Sequence, residues 1–206
     1  MTDITNLSTV NVAISNYIAV VTMNNPPVNA QNRQFHDDLT LAFDVLSDRN
    51  DVRSIVLTGA GKCFSAGADI KGRASQEPDL GDHWVHSRRV RECFYSIMEC
   101  RKPVIAAING AALGAGLAVA ASADILIASE SASVGLPEIN VGLLGGGRHA
   151  MRLFGHSKTR RLMLTGQRLS GAELYRLGIV EECVPDDDLM RAALEIAEEL
   201  ASKSPV

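Results

Sequence analysis

The sequence of 206 residues has few aromatic side chains, only 4%, so a buried core has to be built from Ala, Val, Ile and Leu. Its first ten residues lack the basic and apolar regions of a signal peptide, and Asp3 is a residue that mitochondrial transit peptides tend to avoid. The longest apolar run, residues 110–121, is too short to span a bilayer. These absences predict a cytoplasmic protein with no membrane partner.

Basic stripes and metal-ligand spacings are also missing. The formal net charge is -4, and the arginines at 88, 89 and 91 are more typical of a solvated helix face than of a nucleic-acid interface. The four cysteines show no CxxC spacing, which predicts free thiols in a reducing compartment. His83 and His86 have no Cys or carboxylate set at metal spacing beside them, so no metal site is expected. With 46% apolar and 21% charged residues, the composition is that of an ordinary globular protein.

The apolar pattern divides the chain into alternating strands and helices. Strict alternation around Ser15-Asn16-Tyr17 predicts a β-hairpin. The further predicted strands are Ser54–Thr58, Val104–Ile108, Asp124–Ala128 and Ile179–Val184, and the predicted helices are Asn32–Leu46, Trp84–Met98 and Leu189–Lys203. The repeated order of strand, glycine-rich loop and helix is typical of an α/β fold with a mostly parallel sheet covered by helices. We expect residues 1–206 to form a single domain.

Two glycine-rich segments follow buried strands, Ser65–Asp69 and Gly114–Gly116. Ligands of open α/β sheets bind at the carboxyl ends of the strands. Backbone N–H groups that lack a partner there could converge on one carbonyl oxygen and form an oxyanion hole. Alternatively, the glycines only make tight turns and close packing. Neither segment has the spacing of a nucleotide-binding loop.

Six segments resemble, in order, the signature segments of the crotonase superfamily, the enoyl-CoA hydratase/isomerase family. They are Pro27–Asn32, Phe64–Lys71, Lys102–Gly116, Ala123–Ser129, Gly135–Gly147 and Gly166–Pro185. Each is weak alone, but the set is specific and covers nearly the whole chain. The resemblance implies a repeated ββα spiral core and an assembly that is a homotrimer or a dimer of trimers. It also implies a further C-terminal helical segment, which we expect to be absent from these 206 residues.

The resemblance further implies a lyase or isomerase of fatty acid metabolism that acts on an acyl-CoA thioester. Coenzyme A then enters as part of the substrate, and no separate cofactor is expected. By the match, the oxyanion donors are the backbone N–H groups of Ala68 and of Ala115, which stands where the family usually has Gly. The residues that match the acyl-CoA contact loop are Ala66, Gly67, Ala68, Asp69, Ile70 and Lys71. Lys71 either approaches a CoA phosphate or is a solvated lysine.

Glu138 matches one of the family's catalytic acid/base glutamates, although Pro137-Glu138 would also suit the first turn of a helix. The second glutamate of the hydratases falls at position 118, where this chain has Ala118. Hydration needs groups that hold and deprotonate a water, whereas one carboxylate can move a proton between two carbons. The resemblance therefore favours double-bond isomerisation. A hydratase or dehydratase with a substitute second group, and a catalytically weak acyl-CoA-binding paralogue, stay open.

The acyl group is the least constrained part of this prediction. By the resemblance, an acyl pocket would be lined by residues 72–90 and by the region of Leu143 and Leu144. Neither segment contains a motif that identifies the acyl chain.

Overall fold

A large sheet, a small sheet and a pair of short strands form the framework of the protein, and the computed structural model describes residues 4–70 and 81–204. The strands are β1 Val10–Ser15, β2 Ile18–Met23, β3 Ala30–Gln31, β4 Ser54–Gly59, β5 Cys63–Ser65, β6 Gly67–Ala68, β7 Val104–Ile108, β8 Ala111–Leu113, β9 Ile125–Ser129, β10 Ser133–Gly135, β11 Arg168–Ser170 and β12 Glu182–Val184. The helices are α1 Arg33–Asp48, α2 Asp82–Met98, α3 Ala115–Ala120, α4 Gly147–Ala150, α5 His156–Thr165, α6 Gly171–Arg176 and α7 Leu189–Ser202, with short 3-10 helices at Pro137–Val141 and Asp186–Asp188.

The sheets are mostly parallel. The large sheet has the order β1-β2-β4-β7-β9-β12, and of its pairs only the β1–β2 hairpin is antiparallel. The small sheet has the order β11-β10-β8-β5, and β3 pairs with β6. Strands β4, β7 and β9 lie in the large sheet, and each is followed directly by a strand of the small sheet, β5, β8 or β10. The predicted α/β class, with mostly parallel sheets and helices, is confirmed.

The central strands of the large sheet are buried on both faces, to which their successive side chains point in turn. On one face, Ile55 and Leu57 pack with helix α1, whose buried stripe includes Phe35, Leu39 and Phe43. Asn32 caps this helix by accepting a hydrogen bond from Phe35 N at 2.8 Å. On the other face, residues of β4, β7 and β9 pack against the alanine-rich stripe of α7. Close apolar packing on both faces makes the sheet a rigid base for the loops at its edge.

The predicted strand Ile179–Val184 is wrong in its first half, because only Glu182–Val184 is extended. Gly178 has a φ of +68° after α6, and the N–H of Ile179 donates to Leu174 O at 2.9 Å. This is the left-handed turn that ends a helix with an apolar residue folded back on it. The apolar residues Ile179 and Val180 therefore belong to a helix end rather than to a strand.

Among the residues that the structure describes, no helix combines the length and the apolar character needed to cross a bilayer.

Candidate active site

The two predicted glycine-rich segments are neighbours in space, because β5 and β8 pair in parallel within the small sheet. A methyl group placed on Gly67 would lie 2.5 Å from Leu113 O and 3.1 Å from the amide nitrogen of Ala115. Gly67 also has a φ of +90°, which side chains rarely adopt. A residue without a Cβ is needed for this approach, which brings Ala68 and Ala115 to the same edge of the sheet. The segment around Gly67 is the short strand β6 rather than the predicted loop.

The backbone amides of these two alanines lie outside the hydrogen-bonding pattern of their own elements. Asp69 N donates to Gln31 O at 3.1 Å, and since neighbouring amides of a strand point to opposite sides, the N–H of Ala68 is directed away from β3. Ala68 is exposed. Ala115 begins α3, and the first helical bond is made only three residues later, from Ala118 N to Gly114 O at 3.1 Å. Both N–H groups can therefore donate to a ligand oxygen.

A buried polar network lies beneath β6. Ser65 Oγ donates to Asn29 O at 2.7 Å and accepts from Gln31 Nε2 at 3.1 Å and from Gly67 N at 3.3 Å. Asn29 Nδ2 in turn donates to Cys63 O at 2.7 Å. At the far end, His36 Nε2 lies 3.4 Å from Gln31 Oε1, and burial, with His86 beside it, lowers the pKa of His36 to about 4. The backbone that precedes Ala68 is thus held by side-chain hydrogen bonds.

Glu138 lies on the 3-10 helix Pro137–Val141, which begins with proline as the sequence predicts. Its carboxylate faces the turn that starts α3, since a methyl group placed on Gly114 would lie 2.7 Å from Glu138 Oε1. Methyl groups placed on Gly145 and Gly146 would lie 3.8 and 3.9 Å from the same oxygen. The carboxylate is therefore enclosed by glycine backbone, next to the amide of Ala115.

The electrostatics of Glu138 differ from those of a surface carboxylate. Its Oε2 atom is buried and has no hydrogen-bond partner among the residues that the structure describes. Burial raises the pKa of Glu138, although a hydrogen bond from its own backbone acts in the opposite direction. A carboxyl group with a raised pKa is suited to accept and return a proton near neutral pH.

Ala118 lies on α3 one helical turn after Gly114, and it is 1% exposed. Its methyl group packs in the main hydrophobic core. The Glu138 carboxylate thus lies at the start of α3, whereas position 118 of the same helix contributes a methyl group to the packed core.

The other predicted contact residues lie along the same edge. Ala66 is exposed and its N–H donates to Val28 O at 3.0 Å, while Ile70 is 48% exposed. Asp69 is half-buried. Lys71 lies outside the described residues, as do residues 72–80 of the predicted acyl pocket. Leu143 and Leu144 are exposed, and Leu143 N donates to Glu138 O at 3.0 Å, which ties that segment to the carboxylate's own helix.

Sequence reasoning missed His149, which is on α4 directly after the glycines that enclose Glu138. Its ring lies 4.7 Å from the ring of Phe94 on α2, edge to face. The Nδ1 atom is buried without a hydrogen-bond partner among the described residues, and burial lowers the pKa of this histidine. A lone histidine has no motif around it, so no signal in the sequence could have identified it. Across residues 4–70 and 81–204, no cluster of His, Cys, Asp and Glu side chains could hold a metal ion.

Comparison with known proteins agrees with this geometry. A family model for enoyl-CoA hydratase/isomerase proteins matches residues 13–206. The chain is 36% identical to a probable enoyl-CoA hydratase of Bacillus subtilis, over 97% of this chain and 78% of that protein. It is 37% identical to a (7aS)-7a-methyl-1,5-dioxo-2,3,5,6,7,7a-hexahydro-1H-indene-carboxyl-CoA hydrolase of Mycobacterium tuberculosis, over 90% of this chain and 75% of that protein.

Among solved structures, Pseudomonas aeruginosa DspI superposes with a TM-score of 0.89 at 35% identity, over 96% of this chain and 82% of that one. The signature segments, the fold and these likenesses agree over nearly the whole length of the chain. The chain belongs to the enoyl-CoA hydratase/isomerase family, the crotonase superfamily, and is an enzyme that acts on acyl-CoA thioesters.

Proposed function

We propose that this enzyme isomerises the double bond of an enoyl-CoA thioester. Glu138 removes a proton from C2 of a 3-enoyl-CoA, so that the C2–H bond breaks and a dienolate forms. The N–H groups of Ala68 and Ala115 donate to the thioester oxygen, which carries the developing negative charge. The protonated Glu138 then returns the proton to C4, and the product is the 2-enoyl-CoA.

The observation that supports isomerisation over hydration is the difference between positions 138 and 118. Glu138 brings a carboxylate to the start of α3, and position 118, one turn further along the helix, brings a methyl group. A single carboxylate whose pKa is raised can both accept and deliver the proton of an allylic shift. A methyl group can neither hold nor deprotonate a water.

The two amides account for much of the expected rate enhancement. Each donor of an oxyanion hole typically contributes about 2.7–4 kcal/mol of transition-state stabilisation. Because both are backbone groups on packed elements, they need little reorganisation when charge develops. A methyl group placed on Gly67 would lie 3.1 Å from Ala115 N, and this close approach of the two segments supports the proposal that the Ala68 and Ala115 amides act on one oxygen.

Coenzyme A is proposed to enter only as part of the substrate, with Ala66–Lys71 as its contact segment and no separate cofactor.

We further propose a homotrimer or a dimer of trimers. Exposed apolar side chains beside the site, Val141, Leu143 and Leu144, support a contact between protomers there, since they are 59%, 52% and 58% exposed. Sedimentation or light scattering of the purified protein measures the assembly directly.

The experiment that tests the isomerase proposal is the conversion of a 3-enoyl-CoA in deuterated water, followed by mass spectrometry. We expect the 2-enoyl product with incomplete deuterium uptake, because one carboxylate can carry the same proton from carbon to carbon. Glu138→Gln has nearly the same shape and should bind the thioester while the rate falls by roughly 10²–10⁴. Unchanged turnover in Glu138→Gln would remove Glu138 from the mechanism.

Hydration by a substitute second group is the alternative, and the name of the Bacillus subtilis relative favours it. Crotonyl-CoA hydration by the parent enzyme at ordinary enzymatic rates, on the order of ten per second, would favour this alternative. If isomerisation is correct and the packed helix accommodates the larger side chain, Ala118→Glu should introduce or raise hydration, because it adds a second carboxylate to α3 one turn after Gly114. Ala118→Gln is the matched control, since it has the same size but cannot act as a base.

A further inference from the structure

Gln31 holds the backbone on both sides of Ala68, the residue that carries the first proposed oxyanion donor. It lies opposite Ala68 in the parallel pair of β3 and β6, and its carbonyl oxygen accepts from Asp69 N at 3.1 Å. Its Nε2 atom donates to Ser65 Oγ at 3.1 Å, and the same hydroxyl oxygen accepts from Gly67 N at 3.3 Å. One residue therefore fixes the amides on either side of the Ala68 N–H, directly at Asp69 and through Ser65 at Gly67.

The Ser65 hydroxyl decides which groups of this network donate, because it has one proton to give and two lone pairs that accept. The proton goes to Asn29 O at 2.7 Å, since a carbonyl oxygen can only accept. The groups that face the two lone pairs must then be donors. Gly67 N–H is one, and the Gln31 amide has to present its NH₂ group to Ser65 as the other. The Oε1 atom of Gln31 is left to face His36.

His36 completes the arrangement as a donor. Its Nε2 atom lies 3.4 Å from Gln31 Oε1, and a hydrogen bond forms there only if Nε2 carries the proton. Burial, followed by the charge of His86, lowers the pKa of His36 to about 4, so the ring is neutral near pH 7 and has a single N–H. A proton on Nδ1 would be a buried donor without a partner among the described residues. The Nε2–H form of His36 therefore keeps the Gln31 amide turned toward Ser65.

The polar side chains of this network are almost completely buried, since Asn29, Gln31, His36 and Ser65 are each no more than 2% exposed. Apolar side chains could fill the same space without any need for hydrogen-bond partners. A hydrogen-bonded network in such surroundings makes the chain around it rigid and specifies one arrangement. That arrangement is specified directly beneath β6, which carries the proposed donor.

We infer that Gln31 and His36 are positioning residues of the oxyanion hole. His36 orients the Gln31 amide, and Gln31 sets the direction of the Ala68 N–H through Ser65 and through its own backbone. This inference rests on the proposed function, which assigns the Ala68 N–H to the thioester oxygen.

The test measures the polarisation of a bound thioester. Butanoyl-CoA has no double bond to shift, and its carbonyl stretching frequency falls when N–H groups donate to the oxygen. Infrared difference spectra of butanoyl-CoA with an isotope-labelled carbonyl should show a lowered frequency in the parent. Gln31→Met and His36→Leu should bind butanoyl-CoA but lower the frequency less. With a 3-enoyl-CoA, kcat should fall about three- to fivefold at nearly constant KM, because the oxyanion contact is stronger in the transition state.

Three controls separate positioning from a general loss of stability. His36→Gln places an amide N–H near the position of the imidazole Nε2–H and should restore most of the frequency change that His36→Leu loses. In a Ser65→Ala background, Gln31→Met and His36→Leu should add little further loss, because both act through Ser65. Ser54→Ala removes a buried hydrogen bond from β4, to Ala197 O at 2.9 Å, and should lower Tm without changing the carbonyl frequency.

Parent-like frequencies in both Gln31→Met and His36→Leu overturn the inference and leave the proposed function intact. Losses that add to that of Ser65→Ala, or that His36→Gln does not restore, overturn it as well. His36→Leu leaves β3 unchanged and gives the same readout should Gln31→Met fail to fold. If the parent itself does not lower the carbonyl frequency of bound butanoyl-CoA, the proposed oxyanion donors are wrong, and the proposed function fails together with this inference.

Discussion

The two sides of the site are held in place by different interactions. On the Ala68 side, the backbone is fixed by buried side-chain hydrogen bonds, in which Ser65 Oγ contacts Asn29 O, Gln31 Nε2 and Gly67 N. On the Ala115 side, no side chain of the described residues caps α3, and the turn is held by the backbone, since Gly114 N donates to Gly135 O at 2.9 Å and Gly114 packs closely against the Glu138 carboxylate. Loss of a polar side chain should therefore affect the Ala68 side, and an added methyl group should affect the Ala115 side.

The largest expected effect separates the two amides by proline substitution. Ala68→Pro and Ala115→Pro each remove one N–H donor, and each should lower turnover by roughly 10²–10³. Their stabilities should differ. Position 115 is the first residue of a helix, where proline fits, so Ala115→Pro should melt close to the parent. Ala68→Pro changes a strand held by a polar network and should melt at a lower temperature.

Glycine at position 68 is the control for that experiment, since Ala68→Gly keeps the N–H and should retain most of the activity. Comparable activity in Ala68→Pro and Ala68→Gly would contradict the role of this amide. Equal losses of stability in the two proline variants would contradict the proposed difference between the two sides.

A smaller effect is expected from a methyl group on the Ala115 side. Gly114→Ala places a Cβ 2.7 Å from Glu138 Oε1, at a φ of +56° that strains a side chain. The carboxylate has to move, and we expect turnover to fall by roughly tenfold or more, since small misplacements at a reacting centre can cost 10². Steady-state kinetics with a 3-enoyl-CoA measure this loss.

Gly61→Ala separates the effect of backbone strain from the effect of displacing the Glu138 carboxylate. Gly61 has a similar φ of +71°, and a methyl group there would contact nothing within 4 Å. We expect about 1–3 kcal/mol of destabilisation from the backbone and unchanged kinetics. Loss of activity in Gly61→Ala similar to that in Gly114→Ala would mean that the effect comes from general strain.

The length of each element decided how well it could be predicted from the sequence. Strands such as Val104–Ile108, and the stripe of α1, are long enough to show a hydrophobic period, and they were predicted nearly to the residue. Strands β6 and β8 have two and three residues, too few to show any period. They were predicted as glycine-rich loops, although they bring the two amides together.

The site was predictable only where a motif carried it. Ala68, Ala115 and Glu138 came from the resemblance, and the roles assigned to them stay predictions. His149 gave no usable signal. Ser65 lies in a signature segment, but its hydrogen bonds to Asn29 and Gln31 could not be predicted, because they join distant segments of the chain. Such contacts are set by the packing of the small sheet and of α2 on α4, which a pattern of apolar residues does not record.

The polar network on the Ala68 side should respond to loss of a single hydroxyl. Ser65→Ala leaves the buried groups Gly67 N–H and Asn29 O without this partner, at a cost of about 1–3 kcal/mol. For a chain of this length that lowers Tm by roughly 2–4 °C per kcal/mol. Turnover should fall only a few-fold, because the Ala68 amide is displaced rather than removed.

Ser122→Ala is the control for the network, since Ser122 is also buried but its hydroxyl donates to the local backbone, to Ala118 O one turn back along the chain. It should change Tm less than Ser65→Ala and leave turnover unchanged. The reverse order of Tm values would show that the network does not hold this side of the site.

The smallest expected effect concerns the stability cost of the carboxylate itself. Burial raises the pKa of Glu138 in the folded state, so the folded protein binds this proton more tightly than the unfolded chain does. The corresponding stability is fully present below the ordinary glutamate pKa of about 4.3 and is lost as pH rises through the folded pKa. Glu138→Gln does not ionise and should be as stable as the parent at pH 4.

At pH 7.5, in contrast, the parent holds a buried carboxylate whose Oε2 has no hydrogen-bond partner among the described residues. Glu138→Gln should therefore melt about a degree or two higher than the parent, which corresponds to a stability difference of less than about 1 kcal/mol. Thermal melts of both proteins from pH 4 to 8 measure the difference. The opposite result is a Tm difference, Glu138→Gln minus parent, that is lower at pH 7.5 than at pH 4. It would mean that the ionised carboxylate is stabilised in the folded site. Gly114 and its neighbours would then have to supply donors to Glu138, and packing alone would not explain the Ala115 side.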